Sequence, residues 1–452
     1  MKIKKIKWNN HPILGDLELD FMNNITGKPY DNIIFAGENG TGKTTILESL
    51  SIFLNLGSFE YFEYIEYIVD SQNIKIIPQL ENDFFKHGFH KRIVDSNPEV
   101  RINTNRSSNK QQLETDILDL RYYGCVFSKA RADYQTKKIT STTTKELDID
   151  KYDMDNEDDF TSLKQLIVDI DHEDKDNYAQ VNKSNGANPI SWDSFYLTSK
   201  MFRFSNSFDN FFEKINFNKI DNRNGEKSIV FTKNSNDISI DNLSTGEKQI
   251  VFRGAYLLKN LNNLQGAICM IDEPELSMHP KWQQKIFNYY TSLFEDYSGV
   301  QKVQLLFATH STEVLKSALK NKDNNLVIVL KENNGVISVN KVESPSILPT
   351  ITNAETNYLA FDVVSNDYHI ELYGYLQNKI NETRVKQTDD YIKTQSDYNS
   401  SLHFKNSSNP RGTSYDTLPT YIRNAIDHPS TSMSFTDEEL RKSIELLIKI
   451  CN

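Results

Sequence analysis

The chain has 452 residues, of which 38% are hydrophobic and 25% are charged, and its formal net charge is −11. This hydrophobic fraction suffices for a packed core, and no stretch approaches the roughly 20 apolar residues that span a bilayer. The acidic balance argues against a protein that coats nucleic acid with its whole surface. Three widely separated cysteines (Cys125, Cys269 and Cys451) argue against a disulfide framework and a zinc knuckle, and favour a reducing cytoplasm.

The first 60 residues predict a strand-rich start followed by a helix. Residues 2–8 alternate Lys and Ile, which is typical of a strand with one solvated face and not of a signal peptide. Residues 14–21 predict its hairpin partner. A third apolar run at 33–36 leads into a glycine-rich turn, and the apolar spacing over 44–54 predicts a helix.

The next 180 residues have a different character. They are aromatic-rich and polar, with acidic clusters, and helical pieces are predicted at 160–170 and 208–215. No heptad repeat continues for several turns, so a long coiled coil is not expected.

Residues 241–345 alternate between helix and strand patterns. A helix is predicted after Asn242 and another after Pro280, and the predicted strands are 267–271, 303–308, 326–330 and 336–342. This alternation predicts a mostly parallel sheet that is covered by helices. Beyond about 350 the chain is polar: 405–416 reads as a flexible linker, and helices are predicted at 418–427 and 436–450.

The glycine-rich turn, GENGTGKTT at 37–45, matches the pattern GxxxxGK[ST] between a predicted strand and a predicted helix. Glycines let backbone N–H groups close around phosphate oxygens at the start of a helix dipole. Lys43 would place its charge on the outer phosphates, and the Thr44 hydroxyl can ligate Mg²⁺. The pattern predicts an ATP site formed by Gly37, Asn39, Gly40, Gly42, Lys43, Thr44 and Thr45.

The run AICMIDEPE at 267–275 is an apolar strand that ends in two carboxylates. Asp272 would hold Mg²⁺ directly or through water. Glu273, one residue further on, would orient or deprotonate an attacking water. Because apolar runs ending in Asp-Glu are common, this interpretation depends on the glycine-rich loop upstream.

Two shorter motifs complete the set. In LSTGEKQ at 243–249, Ser244 can cap a helix and Gly246 leaves room for a phosphate near the helix N-terminus. Taken alone, this pattern equally describes a Ser-x-x-Glu capping box. In FATHS at 307–311, His310 follows a strand, where an imidazole can hydrogen-bond a γ-phosphate or the attacking water.

In this order the motifs resemble those of the ABC-type ATPases of the SMC, RecF and OLD class. GENGTGKTT resembles Walker A, LSTGEKQ the ABC signature, MIDEPE Walker B, ELSMHP the D-loop and ATHS the switch histidine. The resemblance implies ATP and Mg²⁺ as cofactors, with Lys43, Glu273 and His310 as catalytic residues. In that family the signature of one protomer completes the ATP site of another. The resemblance therefore implies a head-to-tail pair in which Ser244, Gly246 and Glu247 reach the neighbour's nucleotide.

A finer resemblance is to the PtuA-like ATPases of Septu and retron-associated antiphage systems. It is carried by LSTGEKQIVFR at 243–253 and by Trp282-Gln283 after His279-Pro280. In these systems an ATPase assembly senses phage and controls a nuclease. The chain shows neither an HNH-like His/Asn cluster nor a TOPRIM-like acidic set after the ATPase core. The resemblance therefore implies a higher oligomer and a separate nuclease subunit, an HNH nuclease as in Septu, and it leaves DNA, RNA or msDNA open as partners.

Near the C-terminus, RNAIDH at 423–428 resembles the R-x4-H motif of HEPN ribonucleases, whose Arg and His act on the scissile phosphate and the 2′-hydroxyl. On a regular helix Arg423 and His428 would lie about 140° apart. Pro429 disfavours helical geometry at His428, so the imidazole can turn toward the arginine. The competing interpretation is a histidine near the negative end of a helix dipole.

The sequence thus predicts an α/β fold: an ABC-type (SMC/RecF-like) P-loop ATPase head with a helical insertion and a small α-helical C-terminal region. The expected ATPase core is 1–60 with 225–345. The insertion, a lid and helical lobe, is 61–224, and the C-terminal region with the R-x4-H motif is 346–452.

The expected function is a cytoplasmic ATPase subunit of a bacterial antiphage system that senses infection, controls a nuclease and has no membrane partner. One alternative is a self-contained, ATP-gated RNase that uses Arg423 and His428. Another is a RecF-like DNA-repair ATPase, against which the acidic balance weighs. A scaffold that binds ATP without hydrolysing it is a third, and the presence of Glu273 argues against it.

Overall fold

A computed structural model describes residues 1–54, 61–69, 71–78, 89–95, 97, 100–105, 112–113, 125–128, 153–154, 160–223, 225–258, 268–295, 299–301, 303–321, 323–342, 347–408, 412–429 and 432–452. The chain divides into two compact units, Met1–Lys341 and Val342–Asn452.

The elements up to the unit boundary include both strands and helices. The strands are β1 (Lys2–Trp8), β2 (Glu18–Asp20), β3 (Asn32–Gly37), β4 (Phe62–Val69), β5 (Gln72–Pro78), β6 (Phe89–Val94), β7 (Val100–Asn105), β8 (Gln112–Leu113), β9 (Cys125–Ser128), β10 (Asp153–Met154), β11 (Ile215–Arg223), β12 (Glu226–Lys233), β13 (Asn236–Ser239), β14 (Ile268–Asp272), β15 (Gln304–Ala308), β16 (Asn325–Asn333) and β17 (Val336–Val342). The α-helices are α1 (Lys43–Leu54), α2 (Phe160–Asn185), α3 (Trp192–Tyr196), α4 (Lys200–Phe211), α5 (Thr245–Leu258), α6 (Pro280–Leu293) and α7 (Thr312–Leu319).

The central sheet of the first unit has seven strands in the order β10-β9-β14-β15-β3-β16-β17. Neighbouring strands from β10 to β16 run parallel. Every residue of β3, β14 and β15 is buried, as is typical of parallel strands covered on both faces. The predicted α/β class and mostly parallel sheet are confirmed. The three buried strands end side by side, which brings the residues that follow them to one edge of the sheet.

A second seven-stranded sheet has the order β2-β1-β4-β5-β6-β7-β8, and all its neighbouring strands are antiparallel. The predicted hairpin of β1 with a following strand is confirmed, although that strand covers only Glu18–Asp20. The insertion predicted at 61–224 therefore contributes strands as well as helices. Apolar side chains of α1, among them Leu47 and Leu50, share one core with both sheets.

A glutamine connects these two sheets. The backbone N–H of Ile3 in β1 donates to the side-chain oxygen of Gln304 at 2.7 Å. The Gln304 side-chain nitrogen donates back to the Ile3 carbonyl at 3.1 Å. Gln304 is fully buried, so its amide replaces the pair of bonds that a neighbouring strand would have made.

The helical piece predicted at 208–215 was wrong in its bounds. Helix α4 begins at Lys200, where the Ser199 side chain caps it, and it ends at Phe211 because Phe212 has extended backbone geometry. Strand β11 begins at Ile215 and pairs with β12 in a three-stranded sheet with β13. The buried phenylalanines of this stretch favour a helix by composition, but strand pairing determines where the helix stops.

The second unit is mainly helical. Its elements are α8 (Asn353–Phe361), α9 (Asn366–Lys379), α10 (Val385–Thr394), α11 (Ser400–His403), β18 (Phe404–Ser408), β19 (Ser414–Thr417), α12 (Leu418–Asp427) and α13 (Asp437–Cys451). The two predicted C-terminal helices are confirmed as α12 and α13.

The linker predicted at 405–416 was wrong, because β18 and β19 pair as an antiparallel ribbon. Asp389 is fully buried beneath it. Its carboxylate accepts hydrogen bonds from the backbone N–H groups of Asp416 and Thr417 and from the Thr417 hydroxyl. A buried carboxylate that satisfies these donors orders a segment whose local composition is that of a linker.

Candidate nucleotide-binding site

The glycine-rich loop lies between β3 and α1, as predicted. Gly37 has φ of 138°, and a Cβ there would collide with the carbonyl oxygen of Leu330, so only glycine fits. Asn39 and Gly40 are exposed at the loop tip, and Thr45 is half-buried in the first turn of α1. The loop therefore presents backbone and side-chain donors at the N-terminus of a helix, the arrangement that binds anions in proteins.

Lys43 is buried within this loop, with 5% of its surface exposed. Its ammonium group donates to the carbonyl oxygens of Gly37 at 2.9 Å and Glu38 at 2.7 Å. Burial lowers the pKa of Lys43 to about 8, and the nearby carboxylates, Asp272 first among them, oppose this shift. A phosphate would supply the negative charge that this buried ammonium needs.

Thr44 and Asp272 are brought together from α1 and the end of β14. The Thr44 hydroxyl donates to the carboxylate of Asp272, with oxygen–oxygen distances of 3.1 and 3.2 Å. Burial raises the pKa of Asp272 to about 6. A hydroxyl and a carboxylate are the hard oxygen ligands that Mg²⁺ prefers, so this pair fits the metal implied by the motifs. In the part of the chain that the structure describes, no cluster of three or more His, Cys, Asp or Glu residues could hold a metal ion.

Glu273 and His310 face each other beside this pair. Their side chains are 36% and 34% exposed, and His310 Nε2 lies 3.8 Å from Glu273 Oε1. Burial, followed by the charge of Lys43, lowers the pKa of His310, while Glu273 and the Gly37 backbone oppose the shift. This shift favours the neutral form of the imidazole. A neutral imidazole can orient a water molecule, and the neighbouring Glu273 carboxylate can accept the proton of that water.

The backbone at Glu273 has an unusual conformation, with φ of 44°. A non-glycine residue in this region costs on the order of 1–3 kcal/mol. The Glu273 N–H donates to the Ala308 carbonyl at 2.8 Å, which ties the residue to the end of the neighbouring strand β15.

The structure adds a carboxylate that the motif assignment left without a role. Glu275 Oε1 accepts from the Thr309 hydroxyl at 2.7 Å and from the His310 N–H at 2.8 Å. Burial raises the pKa of Glu275. Glu275 thus holds the backbone that carries His310. The second Glu of DEPE was a usable signal, but only the fold shows which backbone it contacts.

Gln283 connects two further segments of the site. Gln283 of α6 accepts from the Ser311 hydroxyl at 2.6 Å and donates to the Met278 carbonyl at 3.1 Å. It therefore joins the segment predicted as the D-loop to the segment after His310.

The signature segment forms the capping box that its sequence permits. The Ser244 N–H donates to Glu247 Oε2 at 2.8 Å, and the Glu247 N–H donates to Ser244 Oγ at 3.4 Å. Glu247 is buried and also pairs with Lys233 at 2.8 Å. A Cβ at Gly246 would lie 3.0 Å from the Ser277 carbonyl oxygen and 3.2 Å from the Trp282 ring. The predicted signature therefore packs tightly against Ser277 of the predicted D-loop and against Trp282 of its own chain.

The candidate RNase residues lie at the end of α12. Arg423 pairs with Asp427 at 2.6 Å and donates to the Asn424 side chain at 2.9 Å. His428 is the C-cap, with non-helical φ of −127° and ψ of 67°, so the helix ends where the sequence predicted. A catalytic role for the two residues stays a prediction.

The described residues include no helix that is long and apolar enough to cross a membrane.

Comparison with known proteins places these motifs in context. The Retron Vc95 probable ATPase of Vibrio cholerae serotype O1 biovar El Tor is 26% identical over 354 residues, which cover 64% of this chain and 68% of the relative. Among solved structures, the SmcHead bound to the C-winged helix domain of ScpA has a TM-score of 0.42 at 11% identity, over 76% of this chain and 98% of that chain. The SMC head domain from Thermotoga maritima has a TM-score of 0.38 at 14% identity, over 76% and 100%.

A family model matches residues 33–316, which span the glycine-rich loop, the signature, the two carboxylates and the histidine. This match covers more than half of the chain and confirms the prediction that the chain belongs to an ATPase family. The chain therefore belongs to the family described as "AAA domain, putative AbiEii toxin, Type IV TA system".

Proposed function

We propose that this protein hydrolyses ATP as a head-to-tail pair and is the ATPase subunit of an antiphage defence system that controls a separate nuclease. The observation that carries the proposal is the convergence of Thr44, Asp272, Glu273 and His310 at one edge of the parallel sheet. These residues come from three motifs, and each has the side chain that ATP hydrolysis requires at that place.

In the proposed reaction a water molecule attacks the γ-phosphorus in line, and the bond from that phosphorus to the β–γ bridging oxygen breaks to release ADP. Lys43 places its charge on the phosphates. Glu273 accepts the proton of the water, and His310 orients that water through its neutral imidazole. Thr44 and Asp272 would hold Mg²⁺, which neutralises phosphate charge when bound.

The proposed pairing follows from the position of the signature. Among the described residues, the hydrogen bonds of Ser244 are to Glu247 and Lys248 of its own helix. The exposed Ser244 and the first turn of α5 thus form a helix N-terminus suited to an anion. We propose that this end meets the γ-phosphate bound by the other copy, together with Gly246 and Glu247. Higher oligomers of such pairs are part of the proposal.

Mixing two inactive variants tests the pairing. Lys43→Ala removes the phosphate-binding lysine, and Ser244→Arg blocks the signature. In a mixed pair, the intact loop of one copy faces the intact signature of the other. An equal mixture should therefore regain turnover up to about a quarter of wild type, because half of the pairs are mixed and each has one working site.

The control for mixing is Lys43→Ala combined with a variant that carries both changes, which should stay inactive. A mixture of the single variants that stays inactive would contradict the shared site. So would a wild-type rate per chain that does not depend on protein concentration.

The defence role is supported by the retron ATPase relative. We propose an HNH nuclease as the effector, with DNA, RNA or msDNA as further partners. The test is plaque formation on cells that carry this gene with its neighbouring reading frames. Protection that needs both Lys43 and an adjacent nuclease gene would support the proposal. Protection by this gene alone would contradict a separate effector.

A further inference from the structure

A buried arginine in α5 contacts the carbonyl groups of both carboxylate residues at the end of β14. Arg253 is 2% exposed. One terminal nitrogen donates to the Asp272 carbonyl at 2.6 Å and to the Ser128 carbonyl at 2.8 Å. The other donates to the Glu273 carbonyl at 3.0 Å. The Nε–H donates to the Ser128 hydroxyl at 2.8 Å.

These contacts use the particular shape of the guanidinium group. A fifth, longer contact of 3.5 Å joins Arg253 to the side-chain oxygen of Gln249. Arginine has five N–H donors in a planar fork, whereas lysine has three donors on one nitrogen. All five of these acceptors of Arg253 are uncharged. Arg253 is buried with its charge, and its donors are matched to neutral acceptors on β9 and β14. It therefore holds the ends of these two strands in one arrangement.

The contact with Glu273 falls where the backbone is strained. Glu273 has φ of 44°, and both polar groups of its backbone are bonded: the N–H to the Ala308 carbonyl, and the carbonyl to Arg253 at 3.0 Å and to the Leu276 N–H at 3.2 Å. Conformations of this kind persist where the surroundings over-determine them. We propose that Arg253 is a positioning residue, which keeps the Glu273 backbone left-handed and so directs its carboxylate toward His310.

The same residue connects Glu273 with the signature. Arg253 lies in α5, whose N-terminus carries Ser244 and Gly246. A displacement of that end, produced by the nucleotide of the other copy, moves the guanidinium and with it the Glu273 carbonyl. This second step rests on the proposed pairing: a copy's own Glu273 works fastest when that copy's signature engages its neighbour's ATP, and a complete site without this engagement keeps a lower rate.

The positioning role is tested without nucleotide by hydrogen exchange of backbone amides. Arg253→Lys keeps the charge but loses the fork. We expect exchange in the peptide that contains Glu273 and Glu275 to become about tenfold faster, with the peptide that contains Lys43 unchanged. Lys285→Gln, which removes a surface cation paired with Glu213, is the matched control. Unchanged exchange at Glu273 in Arg253→Lys would overturn the inference, whether or not the protein hydrolyses ATP.

Turnover gives the second measurement. Arg253→Lys should lower kcat at least about tenfold and leave KM for ATP within about twofold, because it misdirects Glu273 without touching the phosphate loop. A parallel rise in KM, or an unchanged kcat, would overturn the role. If Arg253→Lys does not fold, Ser128→Ala removes one acceptor of the guanidinium and should shift kcat in the same direction by a smaller factor.

The two proposals fail in different ways. Concentration-independent turnover by the wild-type protein would remove the pairing and the signature step, and would leave the exchange result at Glu273 to stand on its own. If wild-type turnover depends on protein concentration but Arg253→Lys changes neither amide exchange nor kcat, the pairing stands and the positioning role is wrong.

Discussion

The hydroxyl of Thr44 donates to both oxygens of the Asp272 carboxylate, although the two residues are 228 positions apart in the chain. This contact joins the first turn of α1 to the end of β14. Burial raises the pKa of Asp272 to about 6, so the free carboxylate is unfavourable in the nucleotide-free protein. A cation at this pair would remove that unfavourable contribution.

Asp272→Asn should stabilise the nucleotide-free protein at neutral pH. Because the folded pKa of about 6 exceeds the ordinary value of 3.8, the folded protein binds this proton more tightly than the unfolded chain. The stability it contributes is therefore lost as pH rises from about 4 to about 6. The free energy of unfolding in EDTA should be higher in the variant by about 1–3 kcal/mol at pH 7.5, and the difference should shrink at pH 5. Asp323→Asn, at an exposed position, is the control. A difference that does not change with pH would contradict the assignment.

Glu273→Gln should bind ATP but hydrolyse it about 10²–10⁴-fold more slowly, since the amide cannot accept the proton of the attacking water. With turnover blocked, ATP should hold the copies together as a closed pair. Phosphate release and light scattering measure the two effects. Rapid turnover by this variant would show that Glu273 is not the base.

Two variants of Glu275 separate the contribution of its hydrogen bonds from the contribution of its charge. Glu275→Gln keeps an oxygen that can accept from Thr309 and His310, whereas Glu275→Ala removes it. We expect turnover of the Gln variant to stay near wild type and that of the Ala variant to fall about tenfold or more, because His310 loses its backbone support. Equal inactivity of the two variants would instead indicate that the charge of Glu275 takes part in proton transfer.

Arg423 provides a test of the RNase alternative. Because its guanidinium pairs with Asp427 at 2.6 Å, we expect a structural role and no cleavage of tRNA by the purified chain. Arg423→Ala should cost only about 0.3–0.5 kcal/mol of stability, as for other i,i+4 pairs. Lys442→Ala, which removes a comparable pair with Glu438, is the control. Cleavage by the wild-type protein that is lost only in Arg423→Ala would establish the alternative.

The parts of the site that the sequence predicts are those written in contiguous motifs. The loop at 37–45 follows a buried strand, the run at 267–275 contains one, and each carries its reactive side chains within nine residues, so local pattern suffices. Their convergence on one sheet edge then follows from parallel strand topology.

The remaining parts depend on contacts that no local pattern records. Arg253 bonds mainly to backbone carbonyls, and a carbonyl is the same on every residue, so the sequence marks the arginine but not its partners. A charged residue in the apolar run IVFRGAY was the available signal. The ribbon of β18 and β19 was missed for a related reason: the buried Asp389 that orders it bonds to Thr417, which lies 28 positions further along the chain.

The position of β3 in its sheet has a consequence for synthesis of the chain. Its hydrogen-bonded neighbours are β15 on one side and β16 on the other, and β1 depends on Gln304. A ribosome therefore makes the phosphate-binding loop roughly 260 to 290 residues before the strands that support it. During that interval the nascent protein carries β3 without its native neighbours, so this apolar segment is exposed to aggregation until β15 and β16 have been made.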